Sequence, residues 1–147
     1  DYAHKPEALE KVLSAIQQIR DHTQQQSRII TIIGCGGNRD TQKRPLMAKI
    51  AYKLSDQLIL TSDNPRYEDP QAIINDMKQG LTTAQQLNTL TILDRVEAIK
   101  VAYQLAKPHD ILLIAGKGHE AYQEIAGVKY TLSDEEVVRE LARLAST

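Results

Sequence analysis

The chain has 147 residues, 41% of them hydrophobic, with 18 Lys and Arg against 19 Asp and Glu for a formal net charge of -1. That length and composition fit a single domain able to bury a core without disulfides or a structural metal, and the balanced, interspersed charge excludes the basic field of a nucleic-acid binder. No stretch approaches the roughly 18 apolar residues of a membrane span, and Cys35, the single cysteine, excludes a disulfide framework and a cysteine-cluster metal site. A cytoplasmic protein is expected.

The chain opens on "DYAHKPEALEKVL" without an initiator Met or a signal pattern, so it is expected to be a piece of a longer protein. From Pro6 to Arg20, Leu9, Val12, Leu13, Ile16 and Ile19 form the stripe of an amphipathic helix with Pro6 in its first turn. "RIITIIG" reads as a buried strand. A second helix is expected from Pro45 with Leu46, Met47, Ile50 and Leu54 inward, then a strand at "QLILTS" and a third helix from Pro70 with Ile73, Ile74 and Met77 inward. "TLTIL" reads as the next strand, Arg95 to Ala106 as a helix with Val96, Ile99 and Tyr103 on one face, and "ILLIAG" as a fourth strand. "EIAGVKYTL" suits a hairpin turning at Gly127, and Ser133 with Glu136 a capping box for a last helix. Short apolar strands alternating with helices predict an α/β fold: a doubly wound, mostly parallel open sheet, Rossmann-like, with an antiparallel hairpin at the C-terminal end.

Open parallel sheets bind ligands outside the carboxyl ends of their strands, and three polar segments fall there: "GCGGNRD", "DNPR" and "GKGHE". The glycines of the first lack the third glycine and the directly following helix of a dinucleotide fingerprint, and "GKGHE" lacks the flanks of a phosphate loop. His119 beside Glu120 reads either as an acid/base pair or as polar loop structure. Histidines at 4, 22, 109 and 119 show no metal-ligand spacing. Cys35 reads as a small filler of the glycine turn rather than a nucleophile. In "DNPR", turn chemistry accounts for the Asp, Asn and Pro, whereas Arg66 carries a planar fork that can grip a carboxylate bidentately, stiffened by the proline before it.

"DYAHKPEALEKVL", "GCGGNRDTQKRPLM", "TSDNPRYEDP", "DR" at 94 to 95 and "AGKGHEAYQ" together resemble, in order and spacing over nearly the whole chain, the C-terminal domain of the Mur ligase family, ATP-dependent amide-forming enzymes of bacterial peptidoglycan synthesis. "DNPR" is the motif that marks the diaminopimelate-adding branch. The resemblance implies that residues 1–147 are one amino-acid-recognising domain of a three-domain enzyme, whose N-terminal domain holds a UDP-N-acetylmuramoyl dipeptide and whose central domain holds most of the ATP and magnesium. It implies further that this piece alone is not catalytic, holds no metal or cofactor of its own, and is monomeric; the balanced charge and the lack of an apolar span leave no nucleic-acid or membrane partner expected.

Carried over residue by residue, the resemblance gives Arg66 and Asn64 the carboxylate at the distal, non-reacting centre of meso-diaminopimelate, with Asp63 and Pro65 completing the motif. Glu120 and the carbonyl of Gly116 would take the distal ammonium, and Arg39 the carboxylate beside the reacting amine. Asp1 and His4 match the segment that meets ATP when the domains close. Asn38 departs from the family's "GGDRD", which leaves no assigned role for that position. A freestanding amino-acid or nucleotide binding module and a folate polyglutamate ligase domain are the alternatives; "DNPR" argues against the latter, because glutamate has no distal ammonium for Glu120.

Overall fold

The computed structural model describes residues 4–23, 26–37, 40–116 and 122–145. Four parallel strands form the main sheet: β1 (Ile29–Ile33), β2 (Gln57–Leu60), β3 (Leu90–Thr91) and β4 (Ile111–Ala115), in the order β3-β2-β1-β4. The helices are α1 (Pro6–Thr23), α2 (Lys43–Leu54), α3 (Pro70–Lys78), α4 (Thr83–Leu87), α5 (Arg95–Leu105) and α6 (Asp134–Ala145). The chain therefore winds outward from β1 through β2 to β3, then returns past β1 to lay down β4. The reversal makes the carboxyl ends of β1 and β4 the switch point at which such sheets bind ligands.

Side-chain alternation divides the apolar strands between two cores. Ile29 and Ile33, with Leu58, Leu60, Leu113 and Ala115, pack against Leu9 and Leu13 of α1, Met47, Ala48 and Ala51 of α2, and Ile74 and Met77 of α3. Ile30, Ile32 and Ile59 turn the other way onto Ala98, Ile99 and Ala102 of α5 and the partly buried Val137, Val138 and Leu141 of α6. Each fully buried Ile or Leu contributes about 1.5–3 kcal/mol relative to exposure, and β1, buried on both faces, sits at the centre of that stabilisation. The doubly wound sheet is as the sequence predicts.

Some boundaries and faces differ. α2 begins at Lys43, two residues before Pro45, because a proline within the first turn has no intrahelical N–H bond to lose. Its inward face is Arg44, Met47, Ala48 and Ala51, and Leu46 is half exposed: the buried face is rotated from the one an apolar count gives, towards a buried, paired arginine. α5 likewise buries Arg95, Ala98, Ile99 and Ala102 rather than Val96 and Tyr103. α4 is an element the apolar periodicity misses, since it buries nothing; its signal is the capping box of Thr82 and Gln85.

The C-terminal hairpin, β5 (Tyr122–Ile125) with β6 (Val128–Thr131), turns at Ala126 and Gly127, both at positive φ as a type I′ turn requires. It forms its own two-stranded sheet. A parallel bridge between Arg66 and Ile125 fastens it to the loop after β2.

Candidate functional site

Beyond β2 the chain stays buried through Thr61, Ser62, Asp63 and Asn64. Thr61 N–H extends the ladder to the Ile33 carbonyl at 2.9 Å, and Ser62 Oγ donates to the Leu93 carbonyl at 2.8 Å. Asn64 then joins two neighbours. Its carbonyl accepts from Gly37 N–H at 2.7 Å, and its side-chain Oδ1 accepts from Glu124 N–H at 2.8 Å. Gln123 adds Nε2 bonds to Ser62 Oγ at 3.0 Å and the Asp63 carbonyl at 2.7 Å. The "DNPR" loop is thus tied on one side to the glycine turn after β1 and on the other to β5.

Arg66 holds a left-handed backbone at φ 52°, which a residue with a Cβ adopts only against a steric cost. Two backbone bonds keep it there: Arg66 N–H to the Glu124 carbonyl at 2.9 Å, and Ala126 N–H to the Arg66 carbonyl. Its guanidinium lies mostly covered, with Nη1 donating to the Gly37 carbonyl at 2.9 Å and to the Asn64 carbonyl at 3.4 Å, and Nε 3.8 Å from Glu124 Oε1. These contacts use Nη1 and the Nε edge. Among the described residues none engages Nη2.

Two glycines let the segments close up. A Cβ on Gly37 would overlap the Pro65 carbonyl oxygen, so only glycine allows the "GCGG" turn to lie on the "DNPR" backbone. Gly116, at φ 104°, lies so close to the Gly34 carbonyl that an added Cβ would sit 2.8 Å from its oxygen. The exits of β1, β2 and β4 therefore meet backbone to backbone.

Two buried arginines support this end of the sheet. Arg44 pairs with Glu68 at 2.8 Å and Asp76 at 2.9 Å and donates to the Gly36 carbonyl at 3.1 Å. Burial opposes its charge, and the bonds to Glu68 and Asp76 outweigh that, holding its pKa above the ordinary value. Arg95 grips both oxygens of Asp134, at 2.8 and 2.7 Å, and donates to the carbonyls of Ser62 at 3.0 Å and Ala115 at 3.3 Å. Cys35 packs against the α1–α3 core; burial first, then the Asp63 carboxylate, pushes its thiol up to about 12, against the opposing pull of Arg44 and Lys43. A thiol so protonated is a filler, not a nucleophile.

Of the residues singled out from sequence, Asp63, Asn64, Pro65, Arg66 and Gly116 lie together at the carboxyl end of the sheet. His4 is exposed in the turn before α1. Asp1, Arg39 and Glu120, and with them Asn38, Lys117 and His119, lie outside the described residues. Sequence reasoning assigned no role to Arg44, Gln123 or Asp134. Arg95 stood in the quoted "DR" without a function. A buried ion pair whose partners are 39 residues apart leaves no local pattern to read. Chemically, the arrangement suits binding and orientation of a small charged molecule, with a guanidinium and amides on a braced backbone.

Comparison with known proteins fits this geometry. The sequence profile of the Mur ligase glutamate ligase domain matches residues 1–118. UDP-N-acetylmuramoyl-L-alanyl-D-glutamate--2,6-diaminopimelate ligases from Parabacteroides distasonis and Cytophaga hutchinsonii are 59% and 53% identical over 141 residues, covering 96% of this chain and 28% of each relative. A solved structure of a ligase of that name superposes on the whole chain with a TM-score of 0.89 and 43% identity, over 29% of its own length. The E. coli FolC, solved with ADP, shares the fold at a TM-score of 0.55 and 15% identity. The chain spans less than a third of the length of the curated relatives it matches. With four-fifths of its residues inside the family profile, and the sheet, hairpin and site segments arranged as described, this chain belongs to the Mur ligase family.

Proposed function

We propose that this chain is the C-terminal, amino-acid-recognising domain of an ATP-dependent ligase that joins meso-diaminopimelate to UDP-N-acetylmuramoyl-L-alanyl-D-glutamate in peptidoglycan synthesis. The observation that carries the reading is the braced Arg66 of "DNPR": a guanidinium held on the Gly37 carbonyl in a domain whose relatives at 53–59% identity are named for diaminopimelate. In this reading Arg66 and the amide of Asn64 hold the distal carboxylate, with Asp63 beside them and Pro65 limiting the backbone. The bond from Glu124 N–H to Asn64 Oδ1 fixes which end of that amide is the donor. Gly116 and Glu120 take the distal ammonium, Arg39 the carboxylate next to the reacting amine, and Asp1 and His4 face the nucleotide. The folate polyglutamate alternative is weaker, because likeness to FolC at 15% identity extends to the fold alone.

ATP, magnesium and the UDP-linked dipeptide belong in this reading to the rest of the enzyme, which works in the cytoplasm as a monomer. The described residues contain no group of three or more His, Cys, Asp or Glu able to hold a metal. What ATP and magnesium supply when bound is an activated carboxyl group. This chain's own part is to orient the incoming amine by its two carboxylates and distal ammonium, which turns a bimolecular encounter into a positioned attack.

The test is Arg66→Ala in the full-length parent, assayed with diaminopimelate and lysine. Lysine lacks the distal carboxylate, and sites built on a charged hydrogen bond reject such analogues by about 10⁴-fold. The variant is expected to lose roughly a hundredfold in kcat/KM for diaminopimelate, about 3 kcal/mol, and little of the small rate with lysine. An unchanged ratio between the two, at an unchanged melting temperature, removes the substrate assignment.

A further inference from the structure

Arg95 opens α5, yet its side chain points away from that helix into the carboxyl end of the sheet, where it is fully buried. Its donors go to three elements at once. Nη1 holds the carbonyl of Ser62, the residue before "DNPR", at 3.0 Å; Nη2 holds the carbonyl of Ala115, the residue before Gly116, at 3.3 Å; Nε and Nη2 hold Asp134, the first residue of α6. Ser62 leaves β2 and Ala115 ends β4. These two strands are not neighbours, since β1 lies between them, so no ladder bond sets the distance between their exits.

We propose that Arg95, fixed by Asp134, is a positioning residue that sets the spacing between the "DNPR" loop and the Gly116 segment, and hence between the subsites for the distal carboxylate and the distal ammonium. The proposal rests on the diaminopimelate reading above. The carboxylate is what makes the clamp rigid, because it fixes the guanidinium plane through two charge-assisted bonds while the remaining donors reach the two carbonyls. A lysine at this position could satisfy one or two of these partners but not the fork. Asp134 lies outside the part of the chain that matches the family profile, so this gives α6 a task at the site beyond covering the sheet.

The experiment uses the full-length parent with two sets of variants. Asp134→Asn removes the carboxylate charge and leaves Arg95 in place. Because a lone buried charge can unfold a protein, the double variant Arg95→Met with Asp134→Leu replaces the pair by apolar groups of similar volume, a change buried pairs tolerate. Each variant is assayed well below its melting temperature, and hydrogen exchange is followed in peptides covering residues 61–66 and 111–116. A displacement of about 1 Å in a positioned site costs up to about a hundredfold, so the KM for diaminopimelate is expected to rise at least about tenfold in the double variant, with the KM for ATP within about twofold. Faster exchange in both peptides is expected with it, and Arg95→Lys should restore less than half of the loss.

A diaminopimelate KM that stays within twofold in the folded double variant overturns the clamp, as does an equal rise in the KM of every substrate, which marks a merely structural role. Arg66→Ala in the same assay separates the two readings. If Arg66→Ala weakens diaminopimelate use and the double variant does not, the clamp alone fails; if both are silent, the substrate reading fails as well.

Discussion

Arg66 and Gly37 hold each other through side chain and backbone: Nη1 of Arg66 donates to the Gly37 carbonyl at 2.9 Å, while Gly37 N–H donates to the carbonyl of Asn64, two residues before Arg66, at 2.7 Å. The first glycine turn and the "DNPR" loop are therefore one unit. Neither can shift without breaking bonds of the other.

Gly37→Ala tests that unit. The added methyl would overlap the Pro65 carbonyl, and since the overlap is with backbone the two loops must separate. The expected cost is about 1–3 kcal/mol of stability, read as a lower denaturation midpoint, together with, under the proposed function, a raised KM for diaminopimelate in the parent. A stability change under about 0.5 kcal/mol would show that the two loops do not depend on this contact.

The left-handed backbone of Arg66 separates strain from recognition. Ala at φ 52° keeps the steric cost, whereas Gly removes it. Arg66→Gly is therefore expected to be more stable than Arg66→Ala by about 1 kcal/mol, while under the proposed function both lose diaminopimelate use to the same extent. Equal stability of the two would mean that the position stores no strain.

Cys35 should resist alkylation. With its thiol pushed up to about 12, almost no thiolate exists at pH 8, and iodoacetamide should label the folded protein at least about a hundredfold more slowly than the urea-unfolded chain. The raised value also has a stability sign. The folded state keeps its proton where the unfolded thiol has begun to lose it, so this contribution is intact below the ordinary thiol value of 9.0 and is lost as pH rises from there towards 12. Cys35→Ala should flatten the alkaline limb of a melting-temperature profile; a limb identical to the parent's would count against the partly buried, protonated thiol.

At the opposite end of the sheet Asp110 joins the entries of β1 and β4. Its carboxylate accepts from Lys107 N–H at 2.9 Å and Arg28 N–H at 3.0 Å, with the Arg28 guanidinium at 3.0 Å. These donors, Lys107 N–H foremost, hold its pKa below the ordinary 3.8. A depressed carboxylate stabilises the fold above its unfolded value and loses that contribution as pH falls through the folded one. Asp110→Asn should lower the melting temperature at pH 7, and its deficit should shrink below about pH 4. A deficit independent of pH would assign the effect to packing.

The two-sided sheet is legible in the chain's local pattern, because uninterrupted apolar strands such as "RIITIIG" are stable only when covered on both faces, and alternation with helices leaves a parallel sheet as the simplest arrangement. That pattern also determined the hairpin at Gly127 and the placement of "GCGG", "DNPR" and Gly116 at one end, since strand exits in a parallel sheet all face the same way. What joins them is set by contacts between remote segments. Arg44 carries no legible role and Arg95 only its place in "DR"; both become buried supports because carboxylates and carbonyls from remote segments neutralise their desolvation. Leu46, counted inward by its type, is half exposed because it lies on the side of α2 turned away from Arg44, Ala48 and Ala51. Arg66 itself was legible as a guanidinium in a stiff turn. Its left-handed backbone is held by the hairpin some 60 residues downstream and its guanidinium by Gly37, 29 residues upstream, and no local pattern encodes bonds made across those distances.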